Sequence, residues 1–186
     1  MKDTWIETGY KQFALFGPKL LNVNKLSNEV GVSRASFYHH FGDMDVFIQE
    51  LLIVHWKIVT EFNERGKSCK YLFPDFYEFL ADYPIPLQFN MQLFHNRSIP
   101  EYNLLFIKTY EASAKSFLLN LFAKQFALSM DSKDLYDLWL TVGEAWYSRI
   151  TKDDLSAPTL QLHGEKIMKS VLRFAKSQVY STFKIT

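Results

Sequence analysis

The chain has 186 residues, of which 48% are apolar and 22% charged, and this globular composition excludes a disordered chain. A net charge of +1 excludes a protein that binds nucleic acid through its overall charge, and the single cysteine, Cys69, excludes an internal disulfide. The chain shows neither a secretory signal nor an apolar run of membrane-spanning length, so we expect a soluble, cytoplasmic protein with no membrane partner.

No stretch alternates apolar and polar residues over the length of a strand, so we predict an all-α chain of about nine helices. The first helix is predicted over 4–16, with apolar residues, Phe16 among them, along one side. Gly9 lies inside this helix, where glycine costs about 1 kcal/mol relative to alanine. Close approach of a neighbouring helix is the expected reason. Gly17 and Pro18 end the helix, since proline disfavours helical geometry at the residue before it.

Two short helices follow, separated by the turn Gly31-Val32-Ser33. Gly31 can take the left-handed conformation that ends the first helix, and the Ser33 hydroxyl can cap the second by accepting from the backbone N–H of residue 35 or 36. The faces that pack together are apolar at 3–4 spacing: Val23, Leu26, Val30, Val32, Phe37 and Phe41. A different set remains outward on the second helix: Arg34, Ala35, Ser36, Tyr38, His39 and His40. A short polar surface on a braced helix is what reading the DNA major groove requires.

An ordered pattern over about the first quarter of the chain is formed by Ile6, Gly9, Phe13, Gly17, Val23, Leu26, the GVS at 31–33 and the FYHHF at 37–41. This pattern resembles the N-terminal signature of the TetR family of transcriptional regulators. Two positions depart from the family pattern: Ser27 replaces an alanine, and Met44 replaces a common phosphate-contacting lysine. The resemblance implies a three-helix N-terminal helix-turn-helix DNA-binding domain at 1–44 and a larger helical ligand-binding and dimerisation domain at 45–186.

The second short helix supplies most of the predicted DNA contacts. The Arg34 guanidinium can bond both O6 and N7 of a guanine; the alternative is a solvated surface arginine. The resemblance implies DNA-backbone contacts for Tyr38 and His40, which as bare residues are equally explained as a half-buried aromatic and a helix-terminal cation. The complete predicted set is Lys25, Ser33, Arg34, Ala35, Ser36, Tyr38, His39 and His40. Residues 1–42 carry five basic and three acidic side chains, a modest balance that predicts weak affinity or a shallow salt dependence.

The remaining chain reads as further helices. A long helix from Asp43, its N-cap, to about Gly66 is expected to link the two domains mechanically. Shorter helices are predicted at 74–83, stopped by Pro84-Ile85-Pro86, and at 87–94. Three longer helices follow at 101–126, with Ile107 on its inward face, at 133–150 with apolar stripes on two sides, and at 159–180 with Ala175 and Val179 in its seam. The resemblance implies a homodimer through the last two helices.

The aromatic content, 17 Phe, 10 Tyr and 4 Trp, leaves two interpretations open. The rings form a dense core, or some of them line a cavity for an apolar or aromatic ligand. Candidate lining residues, each also explained by core or dimer packing, are Tyr110, Trp139, Glu144, Trp146 and Tyr147. Glu144 stands among apolar neighbours, so it either pairs with a group such as Arg149 or faces a cavity that would suit a cationic ligand.

Neither a metal-binding, phosphate-loop nor nucleophile motif occurs in the sequence, so we predict no enzymatic activity, no metal and no cofactor. The predicted function is that of a homodimeric transcriptional regulator, expected to be a repressor. It would bind a palindromic double-stranded DNA operator and be released by a small-molecule inducer. The alternative is a dimeric helical small-molecule binder of the same fold with little DNA affinity, which Met44 and the modest N-terminal charge favour.

Overall fold

Helices account for every regular element of the residues that the computed structural model describes, 1–178, with side chains to Arg173. The α-helices are α1 Lys2–Phe16, α2 Val23–Val30, α3 Arg34–Phe41, α4 Met44–Gly66, α5 Tyr77–Ala81, α6 Pro84–His95, α7 Pro100–Ser113, α8 Leu119–Phe126, α9 Ser132–Tyr147 and α10 Ala157–Gln178. A π-helical turn, Ala114–Leu118, lies between α7 and α8 along the chain, and with these counted as one helical segment the described residues hold the predicted nine helices. The predicted seam residue Val179 and the predicted helix end, Tyr180, lie outside the described residues, as does the side chain of Ala175.

The chain packs as two compact units. Unit 1 consists of Met1–Ser68 and Asp82–Leu118, and unit 2 consists of Cys69–Ala81 and the chain from Leu119 onward. These units describe packing alone. The division into a DNA-binding domain at 1–44 and a ligand-binding and dimerisation domain at 45–186 stays a prediction.

In unit 1, α1 packs against α2, α4 and α6. Gly9 allows α1 to approach α4 closely, because a Cβ at this position would lie 2.1 Å from Cζ of Phe47. The close approach expected for Gly9 is therefore confirmed. Gly17 ends α1 with φ of +80°, and Asp43 caps α4 by accepting a 2.8 Å hydrogen bond from the amide of Val46.

Three details of unit 1 correct the sequence predictions. Pro84 begins α6 rather than stopping a helix, because a first-turn residue has no helical partner for the N–H that proline lacks. Ile107 is 44% exposed, and Phe16 is 43% exposed at the last turn of α1. The inward face of α7 is formed instead by Tyr102, Leu105, Phe106 and Thr109. Apolar residues of α7 lie on all sides of the helix, so their spacing in the sequence could not identify the buried side.

In unit 2, α9 contacts both α8 and α10, as expected for a helix with two apolar stripes. Trp139 meets the ring of Phe122 edge-on with centroids 5.2 Å apart. Trp146 donates its indole N–H to the carbonyl of Leu160 over 2.9 Å, which satisfies a buried polar group. None of the helices in the described range is both long and apolar enough to span a bilayer.

Candidate nucleic-acid interface

The α2–α3 pair has an N-cap that the sequence analysis did not identify and the left-handed glycine that it predicted. Asn22 caps α2, with its Oδ1 accepting a 2.8 Å hydrogen bond from the amide of Lys25. Gly31 adopts the left-handed conformation, φ +76° and ψ +24°, and its N–H donates to the carbonyl of Ser27 over 2.9 Å. A side chain with a Cβ would be strained at this φ, so glycine suits the turn.

Ser27, at a position where the TetR-like pattern has alanine, adds a hydrogen bond across this turn. Its hydroxyl donates to the carbonyl of Val32, and the residue is 8% exposed. The bond joins the end of α2 to the segment that leads into α3. The departure from the pattern therefore leaves the turn intact and adds one hydrogen bond to it.

Phe37 anchors α3 in the core of unit 1. It is fully buried and meets Trp5 of α1 and Phe47 of α4 edge-on, with centroids 5.4 and 5.1 Å apart. Phe41, one turn later on α3, also packs against Phe47, at 4.8 Å. Aromatic contacts of this kind hold the helix against two others, so its outward face keeps a defined position.

That outward face consists of side chains from all the predicted positions on α3. Tyr38 is 53% exposed. Ser33, Arg34, Ala35, Tyr38 and His39 are exposed, and Ser36 and His40 are half-buried. The structure thus gathers seven of the eight predicted DNA-contacting residues on one short helix and its cap. Their contact with DNA stays a prediction.

Asn24 of α2 is a residue of this surface that the sequence analysis missed. Its Oδ1 accepts a 3.1 Å hydrogen bond from Nη1 of Arg34. The contact directs the guanidinium fork from α3 toward α2. An exposed asparagine beside the cap of the bracing helix was the available signal, but the sequence did not show that it faces Arg34.

One predicted contact differs in the structure. The Ser33 hydroxyl makes no capping hydrogen bond, so that prediction is wrong. The reason is that the amide of Ser36, which the hydroxyl was expected to serve, donates to the backbone carbonyl of Ser33 at 3.0 Å. Lys25 lies with Nζ 3.9 Å from the ring centre of exposed Phe16, a cation–π arrangement that holds the ammonium over α1.

The start of α4 is acidic where the TetR-like pattern commonly has lysine. Met44, half-buried, is the first residue of this helix, and the exposed carboxylates of Asp43 and Asp45 lie on either side of it. Asp43 is the N-cap, and both negative charges stabilise α4 because they lie at the positive end of the helix dipole. The residues that stabilise α4 therefore place negative charge where a phosphate contact was expected.

The predicted ligand-lining residues are spread over both units. Tyr110 is half-buried in unit 1, whereas Trp139, Trp146 and Tyr147 are buried in unit 2. Glu144 is exposed on α9, so it is not enclosed by this chain. A groove of about 340 Å³ in unit 2 is lined by none of the five; its residues are Pro74, Glu78, Ala157, Pro158, Gln161, Leu162 and Glu165. A ligand site stays a prediction.

Comparison with known proteins places these features in context. Residues 6–51 match the family model for bacterial regulatory proteins of the tetR family. No curated protein sequence matches the chain.

Solved structures share the fold over most of the chain, at low sequence identity. The TetR family transcriptional regulator PfmR from Thermus thermophilus is 18% identical with a TM-score of 0.60, covering 89% of this chain and 97% of its own. A TerR/AcrR family transcriptional regulator from Aquifex aeolicus is 18% identical with a TM-score of 0.58, covering 93% and 98%. A tetR-family transcriptional regulator from Streptomyces coelicolor is 14% identical with a TM-score of 0.58, covering 97% and 82%. The matching family and these neighbours are transcriptional regulators, a class that is generally not enzymatic.

Proposed function

We propose that this chain, which has the TetR-family fold and carries the family's sequence signature at residues 6–51, binds operator DNA as a dimeric transcriptional repressor. The observation that carries the proposal is the outward face of α3. Arg34, Tyr38 and His39 are exposed there, on a helix whose opposite side is held by Phe37 in the core. A rigid, short helix with donors on one side suits the major groove, and the Arg34 fork suits guanine.

In the proposed complex, two copies of α3 enter successive major grooves of a palindromic operator. The half-sites would lie about 34–36 Å apart, or a multiple of that distance. We assign the dimer contact to α9 and α10. Apolar surface on α10 supports this, because Leu162 is 45% exposed and Val171 and Leu172 are only half-buried.

Release from DNA is proposed to follow binding of a small apolar or aromatic ligand. Such a ligand acts only if it binds the released conformation more tightly than the DNA-competent one. A change in the position of α4 would then alter the distance between the two copies of α3. Of the predicted lining residues, Trp139, Trp146 and Tyr147, which are buried in unit 2, are the proposed ligand contacts.

A second candidate function is a dimeric small-molecule binder of the same fold with little DNA affinity. The acidic pair Asp43 and Asp45 beside Met44 favours it, since phosphate groups are repelled there. The position of Lys25 over Phe16 also favours it, because the ring already engages that ammonium.

The test is fluorescence anisotropy of the full chain on fragments from the DNA upstream of its own gene, at two salt concentrations. The Arg34→Ala, Tyr38→Ala double variant should abolish specific binding. Lys11→Ala is the matched control, because it removes a positive charge from the exposed side of α1 outside α2 and α3. Specific binding that the double variant loses and the control keeps would support the regulator. Absence of binding at low salt across all fragments would favour the small-molecule binder.

A further inference from the structure

A buried polar chain of four residues crosses the interior of unit 1. The Tyr10 hydroxyl lies 2.7 Å from Nδ1 of His55, and Nε2 of His55 lies 3.1 Å from Oδ1 of Asn90. The Thr109 hydroxyl shares its single proton between the same Oδ1, at 3.2 Å, and the carbonyl of Phe106, at 2.9 Å. The four side chains belong to α1, α4, α6 and α7, so one hydrogen-bonded path joins four helices. We call it the buried polar chain.

The acceptor oxygen of Asn90 determines which atom donates in each hydrogen bond of His55. Oδ1 of Asn90 can only accept, so Nε2 of His55 carries the proton and Nδ1 accepts from the Tyr10 hydroxyl. This is the neutral form of His55, and burial lowers its pKa to about 4. Each side chain therefore has one defined role: Tyr10 donates, Asn90 accepts, and His55 does both.

The surroundings of the buried polar chain make polar groups costly there. His55 is fully buried, and its ring stacks on Phe89 at 4.3 Å. Tyr10 stacks on the same phenylalanine at 4.6 Å. Apolar side chains of similar size would pack here without the expense of desolvation, so packing alone does not explain the polar groups. Hydrogen bonds in an apolar interior instead specify one arrangement of the helices that they join.

One end of the buried polar chain lies on the helix that supports α3. Tyr10 is in α1, about 1.4 turns after Trp5. Trp5 is fully buried and meets Phe37 of α3 edge-on at 5.4 Å. The other end, Thr109, lies in α7, more than fifty residues after His55 along the chain. Hydrogen bonds and one aromatic contact therefore connect α7 and α6, through α1, to α3.

We infer that the buried polar chain sets the position of α1, and through it that of α3, so that rearrangement of α6 and α7 changes DNA affinity. Tyr10, His55, Asn90 and Thr109 act as positioning residues. The inference rests on the proposed DNA-binding function for its consequence, whereas the coupling between α7 and α3 is a property of unit 1.

The first test measures this coupling without DNA, by hydrogen exchange in the full chain. Thr109→Val keeps the size of the side chain and removes its hydroxyl; it should speed exchange of the α3 amides by about threefold or more. Ser113→Ala is the matched control. Its hydroxyl, also on α7, donates to Oδ1 of Asn63 on α4 over 2.7 Å, a bond that does not continue to α1. Unchanged α3 exchange in Thr109→Val, or equal change in both variants, would overturn the inference.

The second test is a double-mutant cycle on the DNA dissociation constant, with Tyr10→Phe and Thr109→Val at the two ends. If the buried polar chain couples α7 to α3, the two substitutions should not act independently on DNA binding. The dissociation constant of the double variant should then rise by less than the product of the two single increases, by a factor of about three or more. Effects that multiply within about twofold would overturn the inference while leaving the regulator in place. A wild type that binds no DNA would defeat the proposed function, and the exchange experiment would still decide the coupling. Circular dichroism confirms that every variant is folded.

Discussion

The ring of Phe47 lies directly over Gly9, and a Cβ at position 9 would stand 2.1 Å from Cζ and 2.6 Å from Cε1 of that ring. Phe47 is fully buried and is itself held by Phe37 and Phe41, at centroid distances of 5.1 and 4.8 Å. The ring therefore cannot yield without disturbing α3. This contact is why α1 and α4 approach so closely and why a glycine occupies the middle of α1.

Gly9→Ala should destabilise the protein. The gain in helix propensity is about 1 kcal/mol, but overpacking against a fixed ring costs about 1–3 kcal/mol. We expect the free energy of unfolding, measured in urea, to fall by about 1 kcal/mol. Lys11→Ala, exposed on the same helix, should change it by less than about 0.5 kcal/mol. A Gly9→Ala protein that is more stable than wild type would show that Phe47 moves aside freely.

Acid should weaken the fold through His55. Burial lowers the pKa of His55 in the folded chain to about 4, whereas the ordinary value in an unfolded chain is about 6.5. Between these values the unfolded state binds a proton that the folded state excludes. The stabilisation is complete above pH 6.5 and is lost as the pH falls to 4, by about 3 kcal/mol in all.

Chemical denaturation at pH 7 and pH 4.5 tests this dependence. Carboxylates also titrate in this range, so His55→Gln provides the comparison. Wild type should lose about 2 kcal/mol more than the variant over the interval. Equal losses for the two proteins would mean that His55 takes up its proton without disturbing the fold.

Asn22 and Ser33, the two N-caps of the helix-turn-helix, should respond differently to alanine. Asn22 accepts a hydrogen bond from the amide of Lys25, so Asn22→Ala should cost about 1 kcal/mol of unfolding free energy. The Ser33 hydroxyl makes no such bond, so Ser33→Ala should cost less than about 0.5 kcal/mol. Thermal unfolding of both variants checks this pair, and a larger loss for Ser33→Ala contradicts it.

Met44→Lys should strengthen DNA binding. It adds a cation between the carboxylates of Asp43 and Asp45, at the position where the TetR-like pattern commonly has a phosphate-contacting lysine. One new phosphate contact would steepen the slope of log affinity against log salt by about 0.9. Asn120→Lys, exposed on α8 in unit 2, adds the same charge elsewhere and should leave the slope unchanged. Identical slopes for wild type, Met44→Lys and Asn120→Lys would show that a lysine at position 44 makes no phosphate contact.

Helix ends in the first half of the chain were predictable because their signals are local. The left-handed Gly31, the proline after Gly17 and the cap at Asp43 act on backbone groups within a few residues. Pro84 was mistaken for a stop because proline is equally suited to a first turn, and only the helix that follows decides between the two.

By itself, the sequence determined that the chain is helical, where its first helices begin and end, and which polar residues of α3 face outward. Each of these follows from backbone geometry and from apolar spacing along one segment. Only the tertiary structure decided that Ile107 is exposed, that Arg34 meets Asn24 and that Lys25 lies over Phe16. It also decided that His55 joins Tyr10, 45 residues away, to Asn90, 35 residues away. Periodicity defines a face of a helix but not the side chain opposite it, because that partner depends on how distant segments pack.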